Sequence, residues 1–212
     1  MRSELGLLER ADGSASFCQG NSVVWAAALG PADAPPSQRL VDRAALAVSC
    51  RSSAGDAMAL GGDERLEQML TAAASAALLL EELPRCAYQL TTQPLQLDGS
   101  ASSASVNAAC LALLDASAPM RGLFCGASVA RLATAALVAQ PDAKTIASAT
   151  ALFEFTFLKS GDSVELCSSH AWGGPFQLEE YATAVNMARE VASETFAFFR
   201  SALEKKFAAD LK

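Results

Sequence analysis

Apolar positions along this chain recur with two periods, one of two residues and one of three to four, and the switches between them mark out the elements. Between two turn pairs, Asp12-Gly13 and Gly20-Asn21, the run Ser14-Ala15-Ser16-Phe17-Cys18 has strand character. Residues 22–29, rich in Val and Ala and containing Trp25, predict a second strand ended by Gly30-Pro31, so the chain should open on a β-hairpin. A loop with Pro35-Pro36 leads into a strand from about Ala44 to Cys50, and 55–62 reads as loop. Asp63 suits a helix N-cap. Leu66, Met69, Leu70, Ala73, Ala77, Leu78 and Leu80 then follow at helical spacing until Pro84 stops the run.

Cys86 to Leu97 has strand character again and is broken by Asp98-Gly99-Ser100, after which 103–116 returns to helical composition. Two more pairs of short strands are expected, 123–131 with 136–139, and 150–158 with 164–169 across the turn Ser160-Gly161-Asp162. After Gly173-Gly174-Pro175 a long amphipathic helix should run from Gln177. Its apolar stripe is Leu178, Tyr181, Val185, Ala188, Val191, Ala192, Thr195, Phe196, Phe199, Leu203 and Phe207. No linker divides the chain, so 1–212 is read as one domain. Interleaved strands and helices, with hairpins too close for a purely parallel sheet, make it α+β with a mixed sheet.

Charge changes the picture more than composition does. The formal net charge is −7, and Lys and Arg form no run, so the chain lacks the basic face on which unaided nucleic-acid binding depends. Any contact with RNA must then come from one or two residues inside a larger assembly. The six cysteines are scattered, form no CxxC pair and have only His170 as a histidine companion, so no metal site and no cofactor is expected. Reduced, core-packed thiols are the expectation. The N-terminal residues carry no apolar signal region and no stretch resembles a membrane span, which points to a soluble protein that is not secreted.

Three blocks in order carry a family resemblance. The first runs from Gly6-Leu7-Leu8-Glu9-Arg10-Ala11-Asp12-Gly13 through Gln19-Gly20-Asn21-Ser22 to Ala28-Leu29-Gly30-Pro31. The second is Asn107-Ala108-Ala109-Cys110-Leu111-Ala112-Leu113, and the third is Asp115-Ala116-Ser117-Ala118-Pro119-Met120-Arg121. With their spacing, they resemble the ribonuclease PH family over about residues 6 to 205. Leu123-Phe124-Cys125-Gly126, the short step to Leu137-Val138, and Phe198-Phe199-Arg200 bring the likeness closest to a small eukaryotic subunit of the RNA exosome. The resemblance implies the ribonuclease PH-type fold, with an opening hairpin, two central helices and a long terminal helix. It also implies a place in a six-membered ring of ribonuclease PH-like subunits, three heterodimers around an RNA channel.

Phosphorolysis needs an anion site, a carboxylate near the scissile bond and basic groups on the RNA backbone. Active members of the family place a Gly-Thr-Arg motif at the start of the second helix, where the arginine fork and free N–H groups meet phosphate. Counted back from Pro119-Met120-Arg121, that motif falls on Ser100-Ala101-Ser102, so the arginine position is Ser102 and only a phosphate-site remnant is left. The carboxylate of the family's Ala-Asp dipeptide falls on Ala149-Thr150, and threonine is no general acid near neutral pH. Glu154, four residues on and roughly 13 Å along a strand, reads as a strand-surface or interface carboxylate. The resemblance therefore implies no catalytic residue, with Ser102 and Thr150 as degenerate positions. A stand-alone phosphorolytic or hydrolytic 3′ exoribonuclease, which would need Arg and Asp there, is the competing reading.

Other groupings are weaker. His170 with Ser168, Ser169 and Asp162 suggests a triad only superficially, and reads as a polar residue at a strand end. Gly173-Gly174-Pro175 reads as turn chemistry, and Glu81-Glu82 as a solvated helix end. Arg51, followed by the loop 52–56, and Arg65, in the first turn of the first long helix, are the candidate RNA contacts towards the ring's channel. Strand edges should pair with other ribonuclease PH-like exosome subunits, and with a second copy when the chain is alone. The family further implies exosome cap proteins and passing single-stranded RNA as partners, no membrane, and residence in the nucleus (nucleolus included) and cytoplasm.

Overall fold

A computed structural model describes residues 1–51 and 62–210. Two turns that expose their glycines, Gly20 at φ 60° and Gly161 at φ 60°, each close a hairpin of the kind the alternating pattern predicts. The first joins β2 (Gly13–Gln19) to β3 (Ser22–Asp33). The second joins β8 (Ala149–Ser160) to β9 (Ser163–Gly173). Around the first hairpin β1 (Arg2–Leu5), β4 (Ala45–Cys50) and β5 (Cys86–Gln96) complete a five-stranded sheet in the order β1-β2-β3-β5-β4. Only the β4–β5 pairing in it is parallel. Around the second, β6 (Leu123–Leu132) and β7 (Leu137–Ala139) complete an antiparallel sheet, β7-β6-β8-β9. The expected α+β class and mixed sheet are borne out.

Strand β3 does not end at Gly30-Pro31. The peptide between them is cis, the pairing with β5 slips between Leu29 and Ala32, and the strand resumes to Asp33. A proline without an N–H is accommodated at such an irregularity, so the stop signal is a local interruption.

Helix α2 (Ala101–Asp115) explains how two sheets share one core. Residues 103–113 are all buried, because β2 and β3 cover one side of the helix and β6 the other. A helix that is apolar all round can be stable only when covered all round. Its one large polar side chain in that stretch, Asn107, is satisfied: Oδ1 accepts from Gly126 N at 2.9 Å and Nδ2 donates to Gly126 O at 3.3 Å. Gly126 lets the helix come this close, since a Cβ there would lie 2.8 Å from Ser103 Cα. Gly13 does the same at the other end, where a Cβ would sit 2.2 Å from Ala116 N.

Helix α1 (Gly62–Ala77) rests on β4, β8 and β9, and is followed by a short 3-10 turn at Leu80–Glu82. It ends before Pro84 is reached, as Leu78 leaves the helix to bridge Met120. The expected cap side chain of Asp63 lies outside the described residues, as do the loop 52–56 and the loop expected over 55–62 except Gly62, which begins α1. Helix α4 (Leu178–Asp210) lies along β6 and β8, with Ala184, Ala188, Ala192, Phe196 and Phe199 buried. Leu178 and Phe207, read from the sequence as part of its apolar stripe, are 81% and 61% exposed. A helix of this length spans about 50 Å, so both ends overhang the sheet they were expected to cover. Core cysteines behave as expected of buried thiols: burial pushes Cys110 up to about 12 and Cys125 well above its ordinary range.

The short helix α3 (Ala143–Ser148) was not foreseen. It is capped by Asp142, whose Oδ1 accepts from Thr145 N at 2.8 Å. Hydrogen bonds from Thr145, with help from the Lys144 charge, hold the Asp142 carboxyl below its ordinary value of 3.8. A carboxyl whose folded pKa is depressed contributes stability above the unfolded value and loses it as pH falls through the folded one. Asp142→Asn is therefore expected to flatten a small acid-side drop in melting temperature below about pH 4, read by comparing thermal melts from pH 6 to pH 2. Parallel curves for the two proteins would count against the cap.

Candidate functional site

The first turns of α1 and α2 converge on the β8–β9 hairpin, and between them lies a cleft of about 700 Å³. From α1 come Glu64, Arg65 and Gln68. From α2 and its entry come Ser100, Ala101 and Ser102. From β8 come Leu152 and Glu154, and from β9 His170 and Trp172. Residues from segments that lie far apart in the chain, Arg65 and Glu154 among them, meet here because α2 and α1 both start at this end of the second sheet.

Glu154 is the unexpected member. It is 4% exposed and faces Arg65, whose Nε lies 3.5 Å from Glu154 Oε2. Arg65 in turn places its guanidinium carbon 5.9 Å from the centre of the Trp172 ring, a cation–π distance. A carboxylate this deeply buried requires a compensating charge, and Arg65 is the cation lining the cleft. Glu154 is thus not the surface or interface carboxylate its place on an alternating strand suggested. Strand β8 is covered on both faces over 151–157, one of them by α1, so every side chain in that run goes into the interior. A glutamate inside the apolar run Ala151-Leu152-Phe153-Glu154-Phe155 was the signal available in the sequence.

Arg65, expected towards a ring channel, lies in this cleft, together with Ser100, Ala101 and Ser102, the residues expected as a phosphate-site remnant. The Ser100 hydroxyl is already used, donating to Pro141 O at 2.9 Å, and its carbonyl accepts from Ser103 Oγ at 2.8 Å. Ser100 also takes a left-handed conformation, φ 29°, which turns the chain into α2. Arg51 does not join them. It is exposed at the end of β4, and its backbone N–H donates to Thr92 O at 2.9 Å.

Thr150 does not line the cleft either. Strand β6 pairs Arg131 with Ala151 and Leu132 with Ala149, leaving Thr150 as the extra residue of a bulge. Its parity with Leu152 and Glu154 is therefore lost, and its Oγ1 donates to Arg131 O at 3.1 Å. That corner is structural. Arg131 pairs with Glu180 at 2.9 Å, and a hydrogen bond from Gln177 N–H, then Arg131, hold the Glu180 carboxyl low. His170 is no strand-end residue but sits inside β9 opposite Glu154. Gly174 N donates to Thr150 O at 2.7 Å, a bond across to β8, and Gly173 is the last residue of β9, so the glycine pair closes the β8–β9 ladder where plain turn chemistry was expected. Among the described residues no cluster of His, Cys, Asp and Glu could hold a metal ion, and no helix is long and apolar enough to cross a membrane.

Residues 1–119 match the 3′ exoribonuclease family, domain 1, RNase_PH. The chain is 32% identical over 211 residues to the exosome complex component RRP46 homolog of Caenorhabditis elegans, covering 99% of this chain and 96% of that one. It is 27% identical over 215 residues to the exosome complex component Rrp41 of Archaeoglobus fulgidus, covering 98% and 83%. The crystal structure of rice (Oryza sativa) Rrp46 superposes with a TM-score of 0.86 over 96% of this chain and 93% of that one. At 23% identity that last likeness is one of fold. Family match, full-length relative and fold agree, and the chain belongs to the ribonuclease PH-like 3′ exoribonuclease family.

Proposed function

We propose that this chain is a non-catalytic ribonuclease PH-like ring subunit of the RNA exosome. It supports 3′-to-5′ RNA processing and degradation, rRNA maturation included, by building the barrel and guiding RNA. The observation that carries the non-catalytic part is the charge of the cleft: among the described residues lining it, Glu64 and Glu154 set two carboxylates against the one guanidinium of Arg65. A site for inorganic phosphate requires the opposite balance, because an anion is held by surplus cationic donors. The Ser100-Ala101-Ser102 turn supplies none, and Thr150 supplies no carboxylate.

Within the ring the subunit resembled is exosome component five, on Leu123-Phe124-Cys125-Gly126 and Phe198-Phe199-Arg200, and the full-length likeness to the nematode RRP46 homolog supports that position. Its partners are other ribonuclease PH-like subunits, exosome cap proteins and single-stranded RNA in passage, with a homodimer when it is alone. It works in the nucleus, nucleolus and cytoplasm. Purified chain incubated with 5′-labelled single-stranded RNA, with phosphate and separately with divalent metal, is expected to leave the RNA intact. Shortening from the 3′ end that requires phosphate would overturn the non-catalytic reading.

A further inference from the structure

The Arg65–Glu154 pair has a property that an ordinary structural ion pair lacks: it lies in the family's anion-site region, beside the first turn of α2. The Glu154 side chain is 6% exposed and that of Arg65 29%, so the guanidinium reaches the cleft from the wetter side. Neither Arg65 Nε nor Glu154 Oε2 makes a hydrogen bond. The two are held by charge at 3.5 Å, with Trp172 against the guanidinium. Arginine N–H donors in such a setting would form stronger, charge-assisted bonds with an oxyanion. Any incoming phosphate must compete with Glu154 for the same cation and meet its negative charge at short range in a partly dry site.

We propose that Glu154 is a built-in counter-anion that occupies Arg65 and bars inorganic phosphate from the cleft, so that loss of this one carboxylate opens an anion site there. Glu154 then decides ligand specificity, and Arg65 is the latent anion ligand. This rests on reading the cleft as the family's degenerate phosphate site. It goes further by assigning the exclusion of phosphate to a carboxylate that is present, Glu154, as well as to the arginine missing at Ser102.

The test is a titration of the full chain with inorganic phosphate at constant ionic strength in chloride, followed by phosphorus NMR line broadening. Wild type, Glu154→Gln and Arg65→Gln/Glu154→Gln are compared, each first shown to melt cooperatively. Should Glu154→Gln fail that check, Glu154→Leu takes its place in both variants. Glu154→Gln is expected to bind phosphate at least about tenfold more tightly than wild type, and the double variant to lose that gain. Equal weak binding by wild type and Glu154→Gln overturns this inference and leaves the non-catalytic reading standing. A gain that survives removal of Arg65 also overturns it. Tight phosphate binding by the wild type sinks both.

Discussion

Gly13→Ala is expected to lower the unfolding free energy by about 3 kcal/mol or more, at the upper end of what overpacking a core produces. The reason is the identity of the neighbours. An alanine Cβ at Gly13 would lie 2.2 Å from Ala116 N, 2.4 Å from Ala112 O and 2.7 Å from Ala116 Cα. All three are backbone atoms at the end of α2, and backbone cannot turn away as a flexible side chain can. Relief would require α2 to lift from β2, which would strip contacts from a helix buried along most of its length. The Ser14 N–H bond to Asp115 Oδ2, 2.9 Å, would be stretched with it, and so would the ion pair of Asp115 with Lys206. Urea denaturation followed by circular dichroism measures the loss. A midpoint within experimental scatter of the wild type would show that β2 and α2 leave room for the added carbon, against the close approach at Gly13.

Arg65→Ala carries the second large effect, about 2–3 kcal/mol. Removing one partner of a buried pair generally costs about 3–5 kcal/mol because the other charge stays behind unpaired. The lower figure allows for the solvent that reaches Arg65, 29% exposed, while Glu154 at 6% has little. Arg65→Ala also deletes the guanidinium packed on Trp172. The companion measurement is the double variant Arg65→Ala/Glu154→Leu, which should recover part of the loss, since no buried charge then remains. If Arg65→Ala unfolds at the wild-type urea midpoint, the pair carries no stabilising role and its geometry is incidental.

These two substitutions separate what packing demands from what chemistry demands, and the same division runs through the comparison of sequence with structure. Local signals were enough for most elements. Alternation over 14–18 and 22–29 with Gly20-Asn21 between them specifies a hairpin through backbone geometry alone. Helical spacing across 178–207 specifies α4, and an apolar run such as 103–116 specifies a helix whose surroundings the pattern leaves open. The stops were less legible. Proline at 31 interrupts β3 without ending it, because a slip in pairing with β5 absorbs the missing donor. Pro84 lies beyond a helix that had already ended at Ala77.

The site was legible in its deletions and not in its replacements. Ser102 where the family resemblance implies an arginine, and Thr150 where it implies an acid, are expectations read from motif position, since they concern what a residue type is able to do. That Thr150 leaves the cleft altogether could not be read, because one bulged residue in the β6–β8 ladder reverses the facing of its neighbour. That Glu154 and Arg65 meet could not be read either. Their pairing depends on α1 lying over β8, a contact between segments almost ninety residues apart that no local period encodes.

Residue order along this chain thus settled the elements and the family, and carries the expectation that phosphorolytic groups are missing, because each depends on short-range periodicity or on side-chain identity. Folding in three dimensions settled which charges face one another, through helix-on-sheet packing and ladder register. Both are properties of distant segments, and the long-range contacts that set them leave no repeat to be read in advance.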